Sequence, residues 1–144
     1  MYPKWTRPGA SYVVDRLARC EIVDDLYGLA IAEVFRHSTE PGYVNVEWDN
    51  AIDPGDIEAM EACVEARPNV IWVATYMGYG LIGEDAMTTR GLGCTWLPRL
   101  LYERMPGLAT VRYPHVDGAV FDAASRHNIE VHEVHDARVK HVHW

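Results

Sequence analysis

The stretch YVNVEWD at residues 43–49, followed by DPGD at residues 53–56, decides the fold class of this chain. Residues 43–48 of the first stretch are rich in β-forming residues and carry acid at their end, which predicts a strand over these residues. In the second stretch, Asp53 is suited to cap a helix whose first position is Pro54. A strand that leads within a few residues into a helix is typical of α/β proteins, so we expect an α/β sheet.

The pattern on either side of this strand and helix predicts further elements of the same kinds. Helices are predicted from Asp24 or Asp25 to His37, over residues 95–105 with an interruption at Pro98, and over residues 116–126. Strands are predicted over residues 11–14 and 69–76, and two short edge strands over residues 129–134 and 138–142. The glycine-rich residues 77–92 are predicted to form a loop. Together these elements predict one domain over residues 1–144, built as an open α/β sheet flanked by helices.

The composition limits the class of protein. The chain has 144 residues, 49% of them hydrophobic, which suits one domain with a buried core. Its net charge of −8 disfavours binding to nucleic acid. No apolar run approaches the ~20 residues of a membrane span, and the first residues lack a signal peptide, so we expect a cytoplasmic protein. Three widely spaced cysteines predict neither a disulfide framework nor a zinc knuckle.

The first candidate site is the acidic triplet that ends the strand. Ligands of open α/β sheets bind at the carboxyl ends of the strands, where Glu47 and Asp49 stand. Residues two apart in an extended segment point the same way, so both carboxylates can face one cation. Mg²⁺ and Mn²⁺ prefer such oxygen ligands and also bind substrate phosphates. The alternative is an ordinary acidic turn at a strand end.

The second candidate is the histidine-rich C-terminal segment, which contains His132, His135, His141 and His143. His141 and His143 share a face of the predicted strand, and imidazole is a common metal ligand. Three interpretations remain open. One of the pair, His141 before His143, completes the cation shell begun by Asp49; the histidines form a zinc site of their own; or they are surface residues without a ligand.

Two further features carry weaker signals. Asp117 opens the predicted helix 116–126, where it is suited either to cap the helix or to accept a proton from an acceptor hydroxyl. Gly91 and Gly93 precede another predicted helix, and glycine allows the backbone to approach a ligand closely. The chain contains no phosphate-binding loop, nucleophile elbow, zinc-protease helix or dinucleotide fingerprint.

Taken in order along the chain, these features resemble the GT-A glycosyltransferases. Residues 46–55 resemble the acidic triplet of that family, which ends a strand before a helix start. Residues 91–98 resemble its small glycine-rich segment, and Asp117 stands where the family has an acidic residue opening a helix. Residues 139–143 resemble the strand that delivers a metal-binding histidine. Over most of residues 7–143 the chain is most similar to short glycosyltransferase-like proteins found in phage and actinobacterial genomes.

The resemblance implies a minimal GT-A-like, Rossmann-like open mixed sheet and sugar transfer from a nucleotide-diphosphate sugar to an unidentified acceptor. The implied metal is Mn²⁺ or Mg²⁺, with the candidate ligands Glu47, Asp49, His141 and His143. Asp117 is the implied catalytic base or acceptor contact. The residues implied at the donor are Arg7, Asp24, Asp25, Tyr27, Gly91 and Gly93. A phage-encoded member would act in the host cytoplasm.

Only 46 residues precede the triplet, which is short for a nucleotide-base pocket of this family. The pocket is therefore expected to be minimal, reduced, or completed by a second subunit in a homodimer. Two hypotheses from other classes remain beside the transferase. One is a non-catalytic nucleotide-sugar-binding or structural protein that keeps the fold alone, and the other is a zinc protein that uses the C-terminal histidines.

Overall fold

The computed structural model describes residues 27–47, 50–77, 91–111 and 116–141, with four α-helices and five strands. The helices are α1 (Tyr27–Arg36), α2 (Pro54–Ala66), α3 (Arg99–Arg104) and α4 (Val116–Arg126). The strands are β1 (Gly42–Val46), β2 (Asn50–Ala51), β3 (Ile71–Met77), β4 (Cys94–Pro98) and β5 (Val131–His141). A short 3₁₀ helix spans Leu108–Thr110. The strand predicted at residues 11–14 and most of the predicted loop lie outside these ranges.

The five strands form one mixed sheet in the order β1-β4-β3-β5-β2. Strand β4 runs antiparallel to both of its neighbours, β1 and β3, while β3 and β5 are parallel. Consequently β1, β3 and β5 run in one direction, and their carboxyl ends meet at one edge of the sheet. The prediction of an open α/β sheet flanked by helices is confirmed, since helices cover both faces of this sheet.

Two buried clusters hold the layers together. On one face, α1, α3 and α4 pack against the sheet, with Phe35, Leu101 and Val120 all fully or almost fully buried. On the other face, α2 packs through Met60 against residues of β3, β4 and β5 such as Trp96. Burying apolar side chains on both faces stabilises the central strands by about 25 cal/mol per Å² of apolar surface removed from water.

The predicted helix over residues 95–105 is wrong in its first half. Cys94–Pro98 forms strand β4, which lies between β1 and β3 and is buried at every position. Helix α3 begins only at Arg99. A short apolar run buried on both faces has neither the helical nor the alternating pattern, so its periodicity does not identify it. Pro98 also disfavours a helical conformation at the residue before it.

The two short edge strands predicted near the C-terminus are one strand, β5, and it lies inside the sheet between β3 and β2. Its pairing with β3 is interrupted by a bulge. Ala74 is opposite Val134, but the next residue, Thr75, is opposite Arg138. Residues 135–137 are therefore extra on β5. The bulge made one strand look like two in the sequence, because it breaks the alternation of apolar and polar residues.

None of the helices in the described ranges combines the length and the apolar character needed to cross a membrane.

Candidate functional site

Polar groups from four segments meet at the carboxyl end of β1. Two of them, Asn45 and Glu47, come from β1 and the residue after it. They share a face with Tyr43, which packs against the first core cluster. The other groups are Tyr27 at the start of α1, the backbone of residues 91–93, and Asp117 in the first turn of α4. This is the sheet edge at which a ligand site was predicted from the sequence.

Hydrogen bonds join Tyr27, Asn45 and Glu47. The Tyr27 hydroxyl donates to Glu47 Oε1 at 2.7 Å and accepts from Asn45 Nδ2 at 2.8 Å. Asn45 Nδ2 also donates to the Leu92 carbonyl at 2.6 Å. The Glu47 backbone N–H donates to the Gly93 carbonyl at 2.8 Å. The network orients one oxygen of the Glu47 carboxylate and ties the end of β1 to the glycine segment.

Asp117 lies close enough to Glu47 for the two carboxylates to affect each other. Burial, and then the negative charge of Glu47, raise the pKa of Asp117 to about 6, although a hydrogen bond from the Leu92 backbone N–H acts in the opposite direction. Both causes disfavour the ionised form, as is usual for partly buried neighbouring acids. Such a shifted carboxyl group in a site with a specific charged neighbour is typical of functional residues, although structural networks also produce it.

Tyr27 stays a neutral hydrogen-bond donor in this network. Burial, followed by the negative charge of Glu47, raises the pKa of its phenol well above the ordinary value. A tyrosine that keeps its proton can donate to a carboxylate at every physiological pH. Tyr27 is predicted from the sequence to contact a nucleotide, and in the structure its hydroxyl donates to Glu47.

The glycine segment is held by its backbone. The Leu92 carbonyl and the Gly93 carbonyl accept the bonds from Asn45 and Glu47, and the Gly91 carbonyl accepts from Thr95 Oγ1 at 3.0 Å. Leu92 and Gly93 are buried. The segment therefore forms the floor of the site between β1 and α4, next to both carboxylates.

The strand that carries His141 reaches the same edge. Asn50, the first residue of β2, is opposite His141 in the sheet, and its N–H donates to the Glu47 carbonyl at 3.2 Å. The backbone of His141 thus lies beside the segment that follows the acidic triplet, 94 positions after Glu47 in the sequence. The side chain of His141 lies outside the described part of the molecule, as do Asp49 and His143.

The remaining predicted donor contacts, Arg7, Asp24 and Asp25, also lie outside the described residues. His132 does not belong to the site. It lies near the amino end of β5, where its Nε2 contacts Glu130 at 2.7 Å and its ring packs near Trp72. His135 is exposed in the β5 bulge. His132 therefore lies toward the end of β5 opposite to the candidate site, and His135 lies midway along the strand.

Glu47 supplies a hard oxygen donor of the kind that Mg²⁺ and Mn²⁺ prefer. A cation bound there would offset the negative charge of Glu47, which is, after burial, the second cause of the raised pKa of Asp117. Within the described ranges, no group of three or more histidine, cysteine, aspartate or glutamate side chains is arranged to hold a metal ion. The described residues thus fit part of a cation shell, and Asp49 and the His141 side chain are the further ligands that the sequence predicts.

Asn45 is the residue that the sequence prediction missed. It is a polar residue in the middle of an apolar strand, two positions before Glu47 and therefore on the same face. It bonds both Tyr27 and Leu92, so it links α1, β1 and the glycine segment. The sequence could have indicated a role for Asn45, because it alternates with Glu47 on one face of the strand and a polar side chain on a buried face needs a hydrogen-bond partner.

Two of the cavities formed by the described residues lie away from this cluster. A cavity of about 450 Å³ opens at the opposite edge, where Arg67 and Arg104 are among its lining residues. Arg67 is paired with Glu130, and Arg104 donates to the His127 carbonyl just after α4. The Arg67 contact joins the end of α2 to the start of β5, and the Arg104 contact joins the end of α3 to the end of α4. A smaller cavity of about 280 Å³ adjoins the residues on either side of the triplet, Val46 and Asn50.

Comparison of the chain with protein-family models, with curated proteins and with solved structures found no match.

Proposed function

We propose that this protein is a metal-dependent glycosyltransferase that transfers a sugar from a nucleotide-diphosphate sugar to an acceptor hydroxyl. The observation that carries the proposal is that Glu47 and Asp117 are both hydrogen-bonded to the glycine segment, Glu47 through the Gly93 carbonyl and Asp117 through the Leu92 backbone N–H. These three features are far apart in the sequence and resemble GT-A motifs there. Their meeting at the carboxyl edge of the sheet supports a minimal GT-A-like fold and a common site.

In this proposal the acidic triplet and the C-terminal histidine hold the cation. Glu47 and Asp49 supply the carboxylates, and His141, with His143 as the alternative, supplies an imidazole. The backbone pairing of His141 with Asn50 supports this assignment, because it brings that strand next to the triplet. A bound Mn²⁺ or Mg²⁺ would neutralise the charge that grows on a departing diphosphate.

Asp117 serves as the base for the acceptor hydroxyl. A carboxyl group with a pKa of about 6 is mostly ionised at pH 7, yet it accepts a proton more readily than an ordinary aspartate. Its position in the first turn of α4 adds the favourable N-terminal end of the helix dipole to the ionised form. Tyr27 and Asn45 hold the Glu47 carboxylate in a fixed orientation beside it.

The donor contacts proposed for the nucleotide are Arg7, Asp24 and Asp25, while Gly91 and Gly93 let the backbone approach the donor. Transfer in the cytoplasm and a homodimer that completes the short base pocket also belong to the proposal. Sedimentation equilibrium of the purified chain tests the dimer. If the protein is monomeric at concentrations at which it binds the donor fully, the base pocket is not shared between two subunits.

Calorimetric titration with UDP- and GDP-sugars, with and without Mn²⁺, tests the central proposal. We expect binding that depends on Mn²⁺, and that the Asp49→Ala variant loses it. The matched control is Asp122→Ala, because Asp122 is exposed and pairs with Arg126 on the surface of α4. Absence of metal-dependent binding to every donor would reject the transferase. Tight zinc binding that survives Asp49→Ala but not His141→Ala would favour a histidine-based zinc protein instead.

Catalysis needs a separate measurement, since a non-catalytic protein could keep the donor site. We expect wild-type protein to release free nucleotide diphosphate from the bound donor, slowly to water and faster with an acceptor. Asp117→Asn should keep donor affinity within about threefold and lower the release rate by ~10²-fold or more, the usual size of a general-base contribution. Equal release by both proteins would remove Asp117 from the catalytic role.

A further inference from the structure

Strand β1 lies at one edge of the sheet, and in the described ranges no strand pairs with its outer side. The Glu47 N–H donates to the Gly93 carbonyl at 2.8 Å, so these opposite residues form a hydrogen-bonded pair. Hydrogen-bonded and non-hydrogen-bonded pairs alternate along an antiparallel ladder, so Val46 and Val44 belong to non-hydrogen-bonded pairs. Their N–H and C=O groups therefore point away from β4, toward the open side of β1.

The sequence of β1, GYVNV, has none of the features that usually prevent pairing at an edge. It contains neither lysine nor proline, and it pairs with β4 in unbroken register from Gly42 to Val46. An edge without such features is a template on which a further strand can add through main-chain hydrogen bonds. Val46 is also 39% exposed, and no other large hydrophobic residue of the described ranges is as exposed. The edge thus combines outward backbone groups with exposed apolar surface.

An apolar cavity of about 280 Å³ lies at the same end of β1. Val46 lines it together with Ile52, which precedes α2, and Ile57 of α2. Val44 packs against the core cluster under α2, so Val46, two positions further on, faces the same way. Neighbouring strands lie ~4.8 Å apart, so the side chain opposite Val46 on an added strand would stand next to this cavity. The cavity therefore suits one aliphatic or aromatic side chain of that strand.

The charge of this surface determines which kind of strand it attracts. Residues 42–66, which include β1 and α2, contain seven carboxylates and neither lysine nor arginine. Among the described residues of this stretch, the exposed acids are Asp53, Glu58, Glu61 and Glu65. Glu61 lies one turn after Ile57 on the same side of α2. Complementary charge favours a basic segment here and disfavours an acidic one.

A second copy of this chain fits the edge less well than a basic segment does. Antiparallel pairing of two β1 strands would centre on Val44, since this register pairs all the outward groups of Gly42, Val44 and Val46. Opposite side chains of paired strands lie on one face, so both copies of α2 would lie on the same face of the joined sheet. The exposed carboxylates of the two helices would then repel each other.

We propose that the outer edge of β1 binds an extended basic segment of another protein by antiparallel strand addition, with one apolar side chain of that segment in the cavity beside Val46. Hydrogen bonds to the backbone of Val44 and Val46 supply affinity, while the cavity and the acidic surface of α2 supply specificity. Val46 and the Glu47 side chain face opposite sides of the sheet. The proposal is therefore independent of metal and sugar-nucleotide binding.

Hydrogen exchange of the full chain, followed by NMR, tests whether the edge is open and what closes it. In the free protein, the Val44 and Val46 amides should exchange at least ~10-fold faster than those of Tyr43 and Asn45, which face β4. The probe is a peptide of alternating valine and threonine with lysines at both ends. Saturation with this peptide should slow exchange of the Val44 and Val46 amides by ~10-fold or more.

Modified peptides test the binding mode by fluorescence anisotropy. In the proposed antiparallel pair the peptide valines face α2, and their N–H groups point at β1. Methylating the valine nitrogens should weaken binding by ~10-fold or more, whereas methylating the threonine nitrogens should change it by less than about twofold. Replacing the lysines with glutamate should also weaken binding by ~10-fold or more.

Protein variants locate the surface. Val46→Lys places a charge on an exposed edge position and should weaken binding of the lysine peptide by ~10-fold. Glu61→Lys should weaken it by ~3–10-fold. The matched control is Glu103→Lys, the same charge change at an exposed position of α3, which packs on the other face of the sheet. It should change the affinity by less than about twofold, because salt screens charges beyond ~10 Å.

Three results would overturn the proposal. Slow exchange of Val44 and Val46 in the free protein would mean that another part of this chain covers the edge, or a second copy if protection rises with protein concentration. Equal loss of binding on valine and threonine methylation would exclude strand addition. Equal binding of the lysine and glutamate peptides, or equal effects of Glu61→Lys and Glu103→Lys, would exclude a basic partner at this surface.

Discussion

Replacing Asp117 with asparagine should stabilise the folded protein at neutral and alkaline pH. The ionised carboxylate is disfavoured in the fold by burial and by Glu47, which raise its pKa from 3.8 to about 6. At about 1.4 kcal/mol per pKa unit, this difference costs at most ~3 kcal/mol when the group is ionised. Because Asp117 is only partly buried, solvent screening reduces the expected gain from Asp117→Asn to ~1–2 kcal/mol.

The sign of the pH dependence follows from linkage. The folded state binds the Asp117 proton more tightly than the unfolded state, so protonation of this group stabilises the fold. That stabilisation is fully present below pH 3.8 and is lost as the pH rises through about 6. Wild-type protein therefore carries the full cost at pH 8, while at pH 3.5 both proteins are uncharged at this position. The gain from Asp117→Asn should be largest at pH 8 and vanish near pH 3.5.

Urea unfolding followed by tryptophan fluorescence at the two pH values measures the effect. At pH 8 the midpoint should move to higher urea with an unchanged slope, which signals altered stability instead of an altered denatured state. Asp122→Asn is the control on the same helix; its exposed pair with Arg126 should change stability by less than ~0.5 kcal/mol at both pH values. A variant that is no more stable than wild type at pH 8, or equally stabilised at pH 3.5, would refute the reasoning.

The contribution of Glu47 can be measured separately by NMR titration of the Asp117 carboxyl carbon. In wild-type protein the pKa should be about 6, and in Glu47→Gln it should fall, because the neighbouring negative charge is removed while burial remains. An unchanged pKa in Glu47→Gln would mean that burial alone causes the shift, and that the two carboxylates do not share a site.

Three further predictions concern the scaffold. Gly28→Ala should destabilise the protein by ~1–3 kcal/mol in urea unfolding, because the added Cβ would lie 2.3 Å from a backbone carbonyl oxygen of the 3₁₀ helix. At Gly118 an added Cβ meets nothing within 4 Å, so Gly118→Ala should stabilise α4 by ~0.5–1 kcal/mol. Stability changes of the same sign in both variants would contradict this packing. Arg99→Ala should cost ~1–3 kcal/mol of unfolding free energy, because the guanidinium donates to three backbone carbonyls at and after the end of α1; a change below ~0.5 kcal/mol would show that water replaces these bonds freely. Cys94 should resist iodoacetamide at pH 8 until the chain unfolds, because burial and then the charge of a nearby carboxylate raise its pKa to about 11. The more exposed Cys63 should react faster in a time course measured by mass spectrometry. Equal rates for the two cysteines would contradict the burial of Cys94.

The elements with a strong local pattern could be predicted from the sequence. Helix α2 begins at Pro54 after Asp53, as its capping residues predict, and β1 and β3 coincide with the predicted strands to within three residues at each end. Helices α1 and α4 follow the helical spacing of their apolar residues. In each case the preference is decided by residues within one or two turns of one another, so it is present in any short window of the chain.

The sequence was less informative where an element depends on distant partners. Residues 94–98 contain no period that separates a buried strand from a helix, and only pairing with β1 and β3 makes them a strand. The division of β5 by its bulge likewise depends on Thr75 and Asp56, which bond to it from other elements. Local secondary-structure propensity does not reflect such contacts, because their partners lie tens of residues away in the sequence.

The same distinction between local sequence and distant contacts applies to the candidate site. The order of residues identified Glu47, Asp117 and the glycine segment as chemically capable groups and identified the sheet edge where a ligand would be expected. Neither their approach nor the role of Asn45 follows from that order, because chain direction and helix packing bring the start of α4 to the end of β1. A carboxyl group acquires a raised pKa only from the dielectric and charges around it, and folding alone assembles those surroundings.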